Sequence, residues 1–283
     1  MGAGFIDSHV HFWDTSRIPC AWLRGFPAIS APHGPSELAN ESAPEAPSRI
    51  VFVQAECDRA AALDEVRWAE SLAGARVPTA GIVAFAPMDG GLATEAALQG
   101  LARMPLVRGA RHLIQDEADP GFCLSDAFVA GVRRCGELGL SFDICIRHSQ
   151  LAAATELARR CPSTSLVLDH GAKPDLKSGV LDPWRAQISA IAALPNVTCK
   201  LSGLVTEAGT ASGDPARFAP AVAHLLEAFG PGRLLFGSDW PVMKLASTYT
   251  GWLRMARDLL SHLAPPAQEA IFSGNAARVY RLA

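Results

Sequence analysis

Near its start the chain reads "GFIDSHVHFWD" (4–14), with two histidines one residue apart. Alternate residues of a β-strand point to the same side. If this apolar run is a strand, His9 and His11 present both imidazoles to one place. Three more of the eight histidines, His112, His148 and His170, also end short apolar runs. Asp239 ends another, in "FGSDWP". Neutral imidazoles and a carboxylate are suitable ligands for Zn²⁺. A carboxylate among such groups equally suits the work of a general base on water. A lone strand histidine is more often a satisfied core residue, and a lone Asp239 would serve as a cap. The weight therefore rests on the set.

Eight short runs have strand character: 5–12, 49–56, 79–86, 106–114, 141–147, 165–170, 196–202 and 233–239. Between them lie segments with apolar residues at helical spacing, such as "AALDEVRWAESLAG", "SDAFVAGVRRCGELG" and "DPARFAPAVAHLLEAFG". Ser125 and Asp182 are placed as N-caps, the latter before Pro183. Gly139 and Gly230 fit helix C-termini. Strands alternating with helices imply an α/β protein with a parallel sheet. Eight such units in about 250 residues predict a closed (β/α)8 TIM barrel. An open doubly wound sheet is the alternative, but no G-x-G-x-x-G follows the first strand.

In such a barrel, function sits at the C-terminal ends of the strands. Gln54 and Glu56 stand there on the second strand, and Arg108, Arg111 and His112 on the fourth. Arg147 and His148 end the fifth, Asp169 and His170 the sixth, with Lys173 just beyond. Lys200 and Ser202 belong to the seventh, and Ser238, Asp239 and Trp240 to the eighth. The stretch 15–48 breaks the rhythm: it is rich in Pro, Ser and Ala and has no clear helical period. A loop this long is uncommon in a compact domain unless it is functional. Following the first strand, it would lie over the mouth as a lid; the alternative is a plain surface excursion.

Composition bounds the partners. Hydrophobic residues are 49% and charged residues 19%, which suits a sizeable core, and 1–283 reads as one domain. The net charge of -3 gives no electrostatic case for nucleic acid or an anionic membrane. No segment approaches the roughly 20 apolar residues that span a bilayer. Asp7, His9, His11 and Asp14 interrupt what would be the apolar stretch of a signal peptide. Seven cysteines, widely spaced and without C-x-x-C, read as reduced thiols of a cytoplasmic protein. Cys145, before Arg147–His148, reads as a strand-core residue. No feature fixes the oligomeric state, and a homo-oligomer stays open.

The ordered set "IDSHVHFWD", "VRGARHLIQ", "LDHGAKPD", "CKLSG", "FGSDWP" and "GNAARVY" resembles the amidohydrolase superfamily. More closely, it is similar to the branch of lactonases acting on sugar-acid lactones and related ring lactones. The resemblance runs nearly end to end. It implies a small-molecule lactone substrate and a site at the barrel mouth, with Asp239 as the base that activates water. It implies that His9, His11 and Asp239, with His170 nearby, can hold one divalent metal such as Zn²⁺. It also implies that turnover requires no cofactor. His170 and His112 join Asp239 as catalytic candidates, with Arg111 and His112 contacting substrate oxygens. Trp13, Arg111, His148, Lys173 and Trp240 would bind substrate.

One departure matters: two-metal relatives bridge their ions with a carboxylated lysine, usually from strand 4, and "LVRGARHLIQ" contains no lysine. That argues against a binuclear site. The expected reaction is attack of Asp239-activated water on the lactone carbonyl, with imidazoles stabilising the oxyanion. The first alternative is a metal-dependent amidohydrolase or decarboxylase of the same superfamily, and a lactone isomerase would look alike. A non-enzymatic binding protein on a decayed barrel is a further rival, which the presence of His9, His11, His170 and Asp239 counts against.

Overall fold

The computed structural model describes residues 4–282. Eight parallel strands run in sequence order around one sheet. They are β1 (Ile6–Val10), β2 (Arg49–Val53), β3 (Thr79–Phe85), β4 (Val107–Arg111), β5 (Ser141–Ile144), β6 (Leu166–Leu168), β7 (Val197–Leu201) and β8 (Leu234–Phe236). The seam between β1 and β8 closes beyond the last regular pairing. There Asp239 N donates to His9 O (2.9 Å) and His11 N to Trp240 O (2.8 Å). The predicted (β/α)8 barrel is the observed fold.

Helices fill the connections: α1 (Pro35–Glu41), α2 (Ala62–Ser71), α3 (Leu92–Ala102), α4 (Asp126–Glu137), α5 (Leu151–Arg160) and α6 (Trp184–Ala192). They continue with α7 (Leu204–Glu207), α8 (Pro215–Phe229), α9 (Tyr249–Leu260), α10 (Pro265–Glu269) and α11 (Asn275–Val279). Ser125 caps α4 as expected, its Oγ accepting from Phe128 N (3.3 Å). Gly230 ends α8 at φ +65. Asp182 is not a cap: α6 begins two residues later, at Trp184, and no side chain caps it.

All eight expected strands occur, but each stops short at its C-terminal end; the run 233–239, for example, pairs only over Leu234–Phe236. The chain leaves the ladder there, and the polar residues of the site begin where the pairing ends. The stretch 15–48 is more regular than its composition suggests. It holds two single turns of 3-10 helix, Ala21–Gly25 and Pro27–Ile29, and then α1. Proline starts α1, and the Glu37 carboxyl accepts from Gly34 N (3.0 Å). Local capping supplied what hydrophobic periodicity could not reveal in pieces this short.

The barrel interior has two layers of different character. The lower is apolar, with Ile6, Val51, Val53, Val83, Val167 and Leu235 in one buried cluster closed by Val279 and Tyr280. The layer above it, toward the mouth, is charged: Arg111, Asp143, Asp169 and Lys200 are all at most 4% exposed. A large apolar cluster between sheet and helices surrounds both.

Candidate active site

The charged layer is the platform on which the site stands. Lys200 Nζ lies 2.6 Å from Asp143 Oδ2, 3.1 Å from Asp169 Oδ1 and 3.0 Å from His9 Nδ1. Arg111 donates to Asp169 Oδ2 (3.1 Å) and to the Gln54 carbonyl (2.6 Å). Tyr280, at the end of the chain, donates its hydroxyl to Asp143 Oδ2 (2.7 Å). Burial works against the Lys200 charge, but Asp143 and Asp169 outweigh it and hold the ammonium above its ordinary range. Buried charges persist only when paired in this way.

On this platform three imidazoles converge on one carboxylate. The β1 ladder shifts register between Asp7 and Val10, which turns His9 inward. His9 and His11 do face one place: their Nε2 atoms are 3.2 Å apart. Asp239 Oδ1 lies 3.4 Å from His11 Nε2, 3.6 Å from His9 Nε2 and 3.9 Å from His170 Nε2. Outer contacts set each ring. His11 Nδ1 meets the Val53 carbonyl at 2.8 Å, and only an N–H can bond there, so its Nε2 carries the lone pair. His170 Nδ1 meets Ser202 Oγ at 2.8 Å.

Burial, aided by Lys200, pushes His9 well below the ordinary imidazole range. Burial likewise pushes His170 down to about 4, against the pull of Asp239 and Asp169. Both are neutral near pH 7. For Asp239, burial favours the protonated form, but the facing His170 and its neighbouring imidazoles outweigh it. The carboxyl is held below its usual range and is ionised. An ionised carboxylate facing neutral imidazoles is suited to take a proton from water.

The donor set also fits a metal. Nitrogen and oxygen ligands bound tetrahedrally at the usual 2.0–2.2 Å lie about 3.3 Å apart. The His9, His11 and Asp239 atoms stand at nearly that spacing, and His9, His170 and Asp239 each offer a ligand atom within 4.8 Å of the others.

Backbone strain gathers here. Glu56, His170, Ala172, Lys173 and Asp239 all have positive φ, a conformation costly for residues other than glycine and frequent at functional sites. Gly203, also at φ +61, packs against the cluster: a Cβ on it would lie 2.5 Å from His170 Nδ1 and 3.1 Å from Asp239 Oδ2. Gly203→Ala is therefore expected to displace His170 and lower both stability and activity. Thermal denaturation and turnover should fall together in that variant.

A cavity of about 350 Å³ opens above this floor, lined there by His11, Arg111, His170, Asp239 and Lys173. Not every expected residue reaches it. His112, next to Arg111, turns away, packing against Phe85, Phe122 and Phe128 while its Nδ1 accepts from Met88 N (3.1 Å). Neighbours on a strand face opposite sides, so one of the two had to. Trp13 lies beneath the long loop, donating to Ile29 O (2.9 Å) and Ala31 O (3.1 Å). Trp240 is buried and donates to Glu41 Oε2 (2.8 Å). His148 braces the Lys173 carbonyl (3.0 Å).

The cavity has walls that the sequence reading did not single out. Trp22 and Phe26, from the long loop, form one side, and Gln115 and Asp116, from the segment after β4, another. Their signal was faint: two aromatics in a stretch otherwise poor in them, and polar residues just past a strand end. Cys145 is buried as expected but also borders the cavity, its Sγ 3.5 Å from Gln115 Oε1.

The family model for amidohydrolases matches residues 6–282. The chain belongs to the amidohydrolase family. Within it, the chain is 34% identical over 282 residues to an L-fucono-1,5-lactonase of Burkholderia ambifaria, covering 98% of this chain and 95% of the relative. It is 23% identical to an L-rhamnono-gamma-lactonase of Scheffersomyces stipitis, with 98% of each chain covered. A crystal structure of an amidohydrolase from Burkholderia multivorans with bound zinc superposes with a TM-score of 0.88 at 34% identity, covering 99% of this chain and 100% of the other. The family resemblance read from the ordered motifs is thus the correct one.

Proposed function

We propose that the protein is a lactonase that opens the ring of a sugar-acid lactone by adding water. The observation that carries this reading is the ionised Asp239 facing three imidazole Nε2 atoms at the floor of a cavity. The named lactonase relatives support the substrate class. Asp239 takes a proton from water, and the water oxygen attacks the ring carbonyl. His170 donates to the developing oxyanion. The ring C–O bond breaks, and the leaving alkoxide receives the proton back from Asp239.

A lactone is an activated ester, so two ordinary effects suffice. A positioned base contributes about 10² to 10⁴ in rate, and each oxyanion donor roughly 10² to 10³. His9, His11, His170 and Asp239 would hold a divalent metal such as zinc, which would supply Lewis-acid polarisation of a carbonyl. The hydrolysis proposed here does not require it.

Arg111 is committed to Asp169 and the Gln54 carbonyl. Its role is to position the floor, while Lys173 is the cation that meets substrate. The stretch 15–48 acts as a lid. Lys244 Nζ ties it to the β8 side through Glu41 Oε1 (2.5 Å) and His33 Nε2 (3.0 Å). A pH-indicator assay with aldono-1,4- and aldono-1,5-lactones tests the reading: acid release supports it, and none from any lactone overturns it.

A further inference from the structure

Glu56 is the unexplained residue of the cavity. It follows β2 by three residues, at φ +52, and its side chain lines the same cavity as Asp239, His170 and Lys173. Two contacts from Gln54 hold it in this costly conformation. Gln54 Oε1 accepts from Glu56 N (2.6 Å), and Gln54 Nε2 donates to Glu56 Oε2 (3.0 Å). Gln54 itself is buried, 1% exposed. A glycine would take this backbone at no steric cost. A carboxylate clamped there instead is a side chain aimed by design of the local backbone.

The charges around it restrict what it can meet. Arg147 is paired with Asp116 (2.9 Å) and Arg111 with Asp169 (3.1 Å). Lys173 bonds to Gln115 Oε1. Glu56 thus faces the cavity with one oxygen held by an amide and no ion pair to a cation among the described residues. Such a group accepts hydrogen bonds from hydroxyls and repels anions.

We propose that Glu56 selects the substrate: it accepts hydrogen bonds from hydroxyls on a neutral polyhydroxylated lactone and turns away lactones that carry a carboxylate. The inference rests on the lactonase reading above. It makes Glu56 a specificity residue, outside the proton transfers assigned to Asp239. Glu56→Gln keeps an oxygen for Gln54 Nε2 and removes the charge. Glu56→Gly removes the side chain and suits the positive φ.

The test is the kinetics of both variants on an aldono-1,5-lactone and on a lactone bearing a ring carboxylate, with thermal denaturation alongside. Expected for both variants is a KM for the aldonolactone raised about tenfold, one lost charge-assisted hydrogen bond, with kcat little changed. The ratio of kcat/KM for the carboxylated over the neutral lactone should rise, and the midpoint of Glu56→Gly should not fall. Unchanged KM in both variants, or equal losses on both lactones, would overturn the proposal and leave the lactonase reading standing. A wild-type chain that hydrolyses neither lactone would overturn both.

Discussion

Asp239→Asn should lose at least about 10² in kcat while keeping its fold, because it deletes the base that the proposed mechanism uses. The structural cost is small for a specific reason. Asp239 sits at φ +62, and asparagine is among the few residues that enter the left-handed region readily. The amide oxygen still faces the imidazoles, but it cannot take a proton from water. Circular dichroism and the thermal midpoint should match the wild type, and steady-state turnover of the lactone should collapse without a comparable change in KM. Wild-type turnover in this variant would remove Asp239 from the mechanism.

Lys200→Met should be the most destabilising single change in the barrel interior. Lys200 is fully buried and pairs with both Asp143 and Asp169. Methionine fills the space of the stem but leaves the buried Asp143 carboxyl without its cation, beside an Asp169 that keeps only Arg111. Breaking a buried pair by removing one partner costs about 3–5 kcal/mol. At roughly 2–4 °C per kcal/mol for a chain of this order of size, the midpoint should fall by about 10 °C. Burial already pushes the Asp143 carboxyl up to about 6 despite the lysine. Adding Asp143→Asn should therefore recover part of the loss, measurable as a double-mutant cycle. A single variant as stable as the wild type would mean that the charged layer contributes nothing to the fold.

These two residues also mark what the sequence discloses. Asp239 was legible, because a carboxylate at a strand end in a chain of alternating strands and helices belongs at the barrel mouth. The same logic found His9, His11 and His170, whose side chains do converge. Lys200 and Asp143 carry a quieter signal: opposite charges in mid-strand positions of a parallel sheet, where both faces are buried. Read by parity, Lys200 and Asp143 both fall on the inward side, and partners across a barrel follow from that. Nothing in either strand says which residue meets which.

His112 shows the limit of reading by position. It ends the same run as Arg111, but strand alternation allows only one of the two to face the mouth, and the aromatic cage of Phe85, Phe122 and Phe128 takes the other. Two residues of the long loop, Trp22 and Phe26, wall the cavity. The loop's conformation was not readable, because turns of three to seven residues are set by capping and tertiary contact rather than by periodicity. The cysteines lie buried and free, as the absence of any paired spacing suggests. Among the described residues no helix is long and apolar enough to cross a membrane.

The most direct test of the central claim, that Asp239 and its imidazoles hydrolyse a lactone without help from a metal, is turnover by metal-stripped protein. The purified chain is freed of metal with a chelator, its zinc content is checked by mass spectrometry, and acid release from an aldono-1,5-lactone is followed with a pH indicator. Turnover by the stripped protein equal to that of the untreated protein is the predicted result. Turnover that vanishes with the metal and returns on adding zinc would contradict the account.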